Sequence, residues 1–372
     1  MRLAVVGIRG IPANYGGFET FAEHLAPELA ARGHDVTVYG RSHFVNCPSG
    51  EYRGVRIVTL PTIRTKHLDT PVHTLVSCLH ALGQHYDVVL ACNAANALFL
   101  AILRIAGVPV VLNVDGIERL RKKWGRAGKA WYWVSEFLAT KIPSAIVADA
   151  GVVQKYYADR WRADSVMIPY GADIAPATDQ STLVRLGLCP REYVLVVTRL
   201  EPENNPDLVI RAFSQLETSK RLVVVGDAPY ATEYKQRLRE YASRDSRVLM
   251  TGFLFGEDYR QLQTYAACYV QATEVGGTHP ALIEGMALGG VVIANGTPEN
   301  IEVLHGAGLT YERGNVDSLA ECLRCALSDE LDRKSLRARA RARIREAYSW
   351  SAVVSQYEQL LQTLSRSKAD GA

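Results

Sequence analysis

Leu3-Ala4-Val5-Val6 runs directly into Gly7-Ile8-Arg9-Gly10-Ile11-Pro12, and Asn14-Tyr15-Gly16-Gly17-Phe18-Glu19 then opens a helical stretch, Phe18–Arg32, stopped by Gly33. A short apolar run, a glycine-bearing turn and a long helical period, in that order, begin a parallel α/β unit. Two glycines at a helix start let the backbone approach a ligand closely. The unpaired N–H groups and the positive end of the helix dipole there favour an anion such as phosphate. The plainer alternative is a turn that merely needs glycine. The stretch is not a dinucleotide fingerprint, because Gly7-Ile8-Arg9-Gly10 breaks the G-x-G-x-x-G spacing. The second strand also ends in Tyr39-Gly40-Arg41 instead of an acidic ribose ligand. Hydride transfer is therefore disfavoured.

The same rhythm continues outward. Strands are expected at Asp35–Tyr39, Val55–Leu60, Asp87–Ala91, Val108–Asn113, Ala145–Ala148 and Ser165–Ile168. Helices are expected at Pro71–Gln84, Ala95–Ile105, Gly128–Thr140 and Val152–Asp159. Near-continuous apolar strands alternating with helices describe a sheet covered on both faces. Pro169-Tyr170-Gly171-Ala172-Asp173 and the polar stretch Ala175–Ser181 interrupt the pattern and read as a linker. The rhythm restarts with strands at Tyr193–Val197, Leu222–Val225, Val248–Thr251, Cys268–Gln271 and Val291–Ala294. The helices of this half are Pro206–Leu216, Ala231–Ser243, Gly256–Tyr265, Pro280–Leu288 and Asp317–Leu327. The expected architecture is two doubly wound, Rossmann-like α/β domains facing each other across a cleft, with ligands beyond the carboxyl ends of the strands. The expected boundaries are 1–172, 173–346 and a terminal helical segment, 347–372.

The second half holds the sharper chemical signals. Arg199 follows its first strand, where a guanidinium can clamp a diphosphate bidentately; an interdomain salt bridge is the alternative. Gly226-Asp227-Ala228-Pro229 and Gly252-Phe253-Leu254 follow the next two strands, and an apolar turn like the latter suits a flat base. Glu274-Val275-Gly276-Gly277-Thr278-His279-Pro280 then leads into a helix, with Pro at its first turn. This is a second helix start prepared for phosphate. Glu284 lies about a turn inside, where a carboxylate can accept from a ribose diol.

Bulk properties narrow the classes. The 372 residues are 48% apolar and 22% charged, enough for two cored domains, and the net charge of +3 implies no nucleic-acid partner. Apolar runs stop short of the ~20 residues of a membrane span, and no signal peptide is read. Seven scattered cysteines suggest reduced, cytoplasmic thiols. Cys322 and Cys325, spaced C-x-x-C, have no second pair and are expected to be packed and buried. The arginine-rich Lys334–Arg345 reads as a solvated helix or an anionic-surface contact. Arg119–Trp133 is basic and aromatic with few acids. It suits peripheral contact with an anionic bilayer, or a solvated face whose aromatics turn inward. No D-x-D occurs, so no metal ligand set and no cofactor is expected.

Together these motifs resemble the retaining family 4 glycosyltransferases of the GT-B fold over nearly the whole chain. The resemblance rests on Gly16-Gly17-x-Glu19, Pro169-Tyr170-Gly171-x-Asp173, Arg199-Leu200, Gly226-Asp227, Gly252-Phe253 and Glu284-x-Met286-Ala287-x-Gly289. The opening motif and Glu274–Glu284 look most like a bacterial rhamnosyltransferase-like subgroup of polysaccharide synthesis. The resemblance implies an N-terminal acceptor domain and a C-terminal nucleotide-sugar domain. It implies diphosphate contacts from Gly16, Gly17 and Arg199, with Gly226 beside them. Base binding would fall near Phe253, ribose binding to Glu284, and the donor sugar and phosphates to Glu274, Gly276, Gly277, Thr278 and His279. The donor is expected to be a nucleoside-diphosphate sugar, with dTDP-rhamnose the guess from the subgroup. The acceptor is expected to be a saccharide or a polyprenyl-diphosphate-linked one. Sugar transfer would be retaining and metal-independent; a nucleotide-sugar epimerase of the same fold is the alternative.

The resemblance breaks at three points. Nine residues, not the family's seven, separate Glu274 from Glu284. The phosphate-binding lysine expected after Arg199 is replaced by Asn204 or Asn205. The histidine expected after the strand Val108–Asn113 is replaced by Asp115, which fits either an acceptor-side base or a helix N-cap. Arg199, Asp115 and Glu274 are the catalytic candidates.

Overall fold

The computed structural model describes residues 1–13, 16–45, 47–65, 68–121, 124–228 and 232–370, with side chains described as far as 366. Asn14 and Tyr15 of the opening motif, Lys122 and Lys123 of the basic run, and Pro229 of the glycine turn lie outside them. The chain divides into two compact units. One is Met1–Leu120, Trp124–Tyr170 and Trp350–Ala372; the other is Arg121–Lys123 and Gly171–Ser349. The crossings fall at 170/171 and 349/350, two and three residues from the boundaries read from sequence.

In the first unit the strands are β1 (Arg2–Val6), β2 (Asp35–Arg41), β3 (Glu51–Tyr52), β4 (Val55–Leu60), β5 (Val88–Cys92), β6 (Val110–Asn113), β7 (Ala145–Ala148) and β8 (Val166–Met167). Their order is β3-β4-β2-β1-β5-β6-β7-β8, parallel except for the β3–β4 pair. The helices are α1 (Gly17–Ala31), α2 (Asp69–Leu82), α3 (Ala97–Ile105), α4 (Arg126–Ala139) and α5 (Gly151–Trp161). β1 and β5 are buried along nearly their whole length, because helices cover both faces of the sheet.

The second unit has α6 (Ser181–Leu186), β9 (Tyr193–Val197), α7 (Pro206–Ser214), β10 (Arg221–Val225), α8 (Thr232–Ser243), β11 (Val248–Gly252), α9 (Gly256–Tyr265), β12 (Cys268–Gln271), α10 (Pro280–Leu288), β13 (Val291–Asn295), α11 (Pro298–Leu304), β14 (Leu309–Tyr311), α12 (Val316–Leu327) and α13 (Arg333–Ala347). The sheet order is β11-β10-β9-β12-β13-β14, all parallel. The strand order reverses between β9 and β12, which opens a crevice at their carboxyl ends. The final helix, α14 (Trp350–Asp370), returns to the first unit. There Tyr357 and Trp350 pack on Phe21 at ring-centroid distances of 5.1 and 6.5 Å, and Glu358 bonds to Arg32 and His34 at 2.7 Å.

Four sequence expectations change. The supposed linker Ala175–Ser181 is packed: Ala177 donates to Thr264 and accepts from Tyr265, and α6 starts at Ser181. β3, β14, α6 and α11 were not anticipated, being two to seven residues long and too short for a period to register. Cys322 is half-buried and Cys325 exposed, not packed inside. The arginine-rich helix is not evenly solvated. Leu336, Ala340 and Ile344 are buried, Arg343 donates to the Glu302 carbonyl, and Arg341 lies against Gly289 at the end of α10.

Candidate functional site

The loops after β9 and β12 flank the crevice of the second unit. After β9 the chain turns through Thr198 and Arg199 into a 3-10 turn, Pro202–Asn204, and Asn205 takes a left-handed conformation (φ 51°) to start α7. The Arg199 guanidinium lies 4.0 Å from Glu201 and is partly exposed. Asn204 is buried and donates to the Arg199 carbonyl at 2.8 Å, so its amide braces the loop itself. Asn205 donates at 3.0 Å to both the Ala272 carbonyl and the Glu274 carboxylate. Arg313 holds the other Glu274 oxygen at 3.1 Å. Glu274 is thus positioned, despite its altered spacing from Glu284, by partners from two other loops.

Gly276, Gly277 and Thr278 are buried and lead to His279, the N-cap of α10. A Cβ on Gly276 would stand 2.3 Å from the His279 ring, so glycine is what lets that ring close over the loop. Burial pushes the His279 pKa down to about 3, with Arg121 and Arg199 adding to the effect, and the imidazole is neutral at physiological pH. One turn into α10, Glu284 accepts from Tyr259 Oη, itself bonded by Gln263 at 3.1 Å. Burial raises the Glu284 pKa to about 7; the Tyr259 bond opposes this and the Asp173 charge adds to it. Gly226 has φ 132°, and a Cβ there would meet the Thr198 carbonyl oxygen at 1.8 Å. It permits β9 and β10 to end side by side. Phe253 follows β11 and stacks on Phe255, with ring centroids 5.6 Å apart.

The first unit has its own reversal, between β1 and β5. Gly7 (φ 84°) turns the chain there, against the Cys92 carbonyl. Glu19 is buried and accepts from the Arg9 backbone N–H at 2.9 Å. The glutamate of Gly16-Gly17-x-Glu19 therefore fastens the loop after β1 to the first turn of α1. Gly16 is the extended N-cap of that helix and Gly17 its first residue. Asp115 follows β6 at φ 57° and accepts from Tyr170 Oη at 3.3 Å. Its own N–H is held by Asn113, whose amide reaches Tyr357 of α14.

The basic segment divides. Arg119 pairs with Glu136 at 3.5 Å and donates to Tyr156 at 2.9 Å, and Trp124 donates to Glu118 at 3.1 Å. Arg121 is 6% exposed and lies 3.9 Å from Glu203. The exposed stripe of α4 is instead Arg126, Lys129, Trp133, Val134 and Phe137, and Trp161 of α5 packs beside Trp133 and Phe137. Reading charge along the chain missed which side chains turn inward. It likewise missed Arg313 and Tyr259, whose roles depend on tertiary neighbours, and took Asn205 only as a replacement for lysine. Among the described residues, no group of three or more His, Cys, Asp or Glu could hold a metal ion, and no helix is long and apolar enough to cross a membrane.

Residues 15–175 match the family Glycosyltransferase Family 4, and residues 189–343 match Glycosyl transferases group 1. Over 157 residues (41% of this chain, 42% of the relative) the chain is 28% identical to the N-acetylgalactosamine-N,N'-diacetylbacillosaminyl-diphospho-undecaprenol 4-alpha-N-acetylgalactosaminyltransferase of Campylobacter jejuni. Over 219 residues (53% and 55%) it is 29% identical to the GDP-mannose-dependent monoacylated alpha-(1-6)-phosphatidylinositol monomannoside mannosyltransferase of Corynebacterium glutamicum. The chain thus spans about half the length of the curated relatives it matches. In fold it is similar to HepE of Anabaena in complex with UDP-glucose, with a TM-score of 0.80 at 19% identity, covering 98% of this chain and 100% of that one. The fold is GT-B, with two Rossmann-like α/β domains.

Proposed function

We propose that this chain, which carries a glycosyltransferase family 4 domain followed by a glycosyl transferases group 1 domain, moves a hexose from a nucleoside-diphosphate donor to a hydroxyl of a saccharide or lipid-linked saccharide. One observation carries the reading: the loop after β9, with Arg199, and the loop after β12, which leads to α10 and Glu284, flank the strand-order reversal of the second unit. Negative charge grows on the diphosphate as the glycosidic bond breaks. A guanidinium and backbone N–H groups fixed in advance stabilise that charge without reorganising. His279 is neutral, so the positive charge at the amino end of α10 comes from the helix N–H groups and the nearby arginines. Glu284, its pKa raised to about 7, accepts from the ribose diol, and the base packs on the turn at Phe253. Glu274, held by Asn205 and Arg313, faces the donor sugar. Asp115, held by Tyr170, serves the acceptor in the first unit, and the start of α1 at Gly16 and Gly17 offers a further anion contact.

The sugar in this reading is L-rhamnose, from the subgroup resemblance, transferred with retention in bacterial polysaccharide synthesis and without a metal ion. The two relatives named above act, by their names, on a diphospho-undecaprenol and on a phosphatidylinositol mannoside. A lipid-linked acceptor fits the exposed basic and aromatic stripe of α4, which would rest on an anionic bilayer. The matches give no support to the epimerase alternative.

A thermal-shift screen with UDP, dTDP and GDP tests the donor assignment, and one base should raise the melting temperature. The matching sugar nucleotide should then be consumed only with acceptor present and equally well in EDTA. Conversion without acceptor, or dependence on added magnesium, would overturn the reading.

A further inference from the structure

The loop from Arg199 to Pro206 brings two acids, Glu201 and Glu203, and only one cation to a crevice proposed to hold a diphosphate. Arg199 already has Glu201 at 4.0 Å. Glu203 is 0% exposed, and neither of its oxygens has a hydrogen-bond partner among the described residues. A buried carboxylate in that state is costly unless a cation compensates it. That cation is Arg121, itself buried, with Nη1 3.9 Å from Glu203 Oε1. The separation exceeds a hydrogen bond, so the pair is not a locked bidentate bridge. Replacing such a pair with apolar residues generally costs little stability or adds some, so packing alone does not account for it.

Two contacts place Arg121 at the crevice. Glu203 belongs to the 3-10 turn that follows Arg199, and its carbonyl accepts from the Glu274 N–H at 2.9 Å. The charges of Arg121 and Arg199 also both act on His279, at the amino end of α10. A guanidinium near the loops after both β9 and β12 is placed to meet an anion held between them.

We propose that Arg121, seated against Glu203, is a second diphosphate-binding cation of the donor site, working beside Arg199. It makes up for the absence of lysine from the loop after β9. Glu203 is a positioning residue that holds the guanidinium in place while the site is empty. The inference rests on the donor reading given above and adds a residue to it.

The test compares a nucleoside with its diphosphate. Competition binding is measured for UDP, GDP and dTDP and for uridine, guanosine and thymidine, using wild type, Arg121→Gln, and Arg121→Gln with Glu203→Gln. The expected result for Arg121→Gln is at least a tenfold loss of affinity for the preferred diphosphate, with nucleoside affinity within twofold of wild type. In the double variant, which removes both buried charges, stability should return to near wild type while the diphosphate affinity stays low. If Arg121→Gln alone does not fold, the double variant gives the same comparison. Unchanged diphosphate affinity, an equal loss for nucleoside and diphosphate, or recovery of diphosphate affinity in the double variant would overturn the assignment and leave the donor reading standing. A wild-type protein that binds none of the three diphosphates would instead remove the donor reading, and this inference with it.

Discussion

The Asn205 amide nitrogen stands 3.0 Å from the Glu274 carboxylate and 3.0 Å from the Ala272 carbonyl oxygen. One amide therefore ties the loop after β9 to the loop after β12. Asn205 is well suited to the left-handed backbone it occupies, and alanine is not. Asn205→Ala should cost about 2 kcal/mol in chemical denaturation, from the lost bonds and the strained backbone. With Glu274 loosened, kcat should fall roughly 100-fold while donor KM moves little. Glu274→Gln should lower kcat at nearly unchanged stability.

Glu284 gives a pH signature. In the unfolded chain its carboxyl has the usual pKa near 4.5, and in the folded protein it is raised to about 7 by burial. The native state thus retains a proton that the unfolded state has released, and stability from this group falls as pH rises through about 7. The expected span is about 3 kcal/mol between pH 4.5 and 8. Melting curves across that range should flatten in Glu284→Gln. If that variant keeps the wild-type slope, Glu284 is not the group responsible.

His279 acts with the opposite sign. Its pKa is depressed to about 3, so the unfolded chain takes up a proton below about pH 6.5 that the native state refuses. Stability is then lost as pH falls from about 6.5 toward 3. His279→Gln should remove that acid sensitivity, read from the same melts. The pH–rate profile between 7 and 9 should keep its shape, because the wild-type ring is already neutral there.

The two glycines of the second unit should behave differently. Gly226→Ala combines a forbidden φ with a Cβ 1.8 Å from a backbone oxygen that cannot yield. It should cost more than about 3 kcal/mol, or prevent folding altogether. At Gly276 the obstacle is the His279 ring, a side chain that can swing away. Gly276→Ala should fold, with the loss appearing in nucleotide-diphosphate affinity measured by calorimetry.

The exposed face of α4 predicts adsorption to lipid. Trp133 and Phe137 are 46% and 42% exposed beside Arg126 and Lys129. Co-sedimentation with anionic vesicles should fall in Trp133→Ser with Phe137→Ser. It should also weaken with salt, and by about 1 kcal/mol for each basic residue of the stripe neutralised. Equal sedimentation with neutral vesicles would contradict an electrostatic component.

Most of this fold was legible because buried parallel strands are written as apolar runs. Val88–Cys92 and Val291–Asn295 could hardly be anything else, and Pro280 marks the start of α10 to the residue. That Arg199 and the Gly276–His279 loop flank one reversal of the second sheet depends on strand order, which the apolar runs do not encode. Arg121 was illegible for a definite reason. A run of basic residues carries no period that separates Arg121, turned inward at 6% exposure, from the exposed Arg126 and Lys129. Asn205 was read as the loss of a cation, and the bond it makes to Glu274 lies 69 positions along the chain. Local pattern finds the elements; which polar groups meet is decided by the loops that topology brings together.

The return of α14 to the first unit has a consequence for biosynthesis. Phe21 acquires Trp350 and Tyr357 as partners, and Asn113 acquires Tyr357, only when the last helix is present. During translation, at about 5–20 residues per second, the earliest-made unit must wait some tens of seconds with an apolar face uncovered. The second unit, continuous from Gly171 to Ser349 apart from the short Arg121–Lys123 segment, has no such delay. The half of the protein that leaves the ribosome first is therefore the half that finishes folding last, and a nascent chain stalled before Trp350 should bind chaperones through the bare flank of α1.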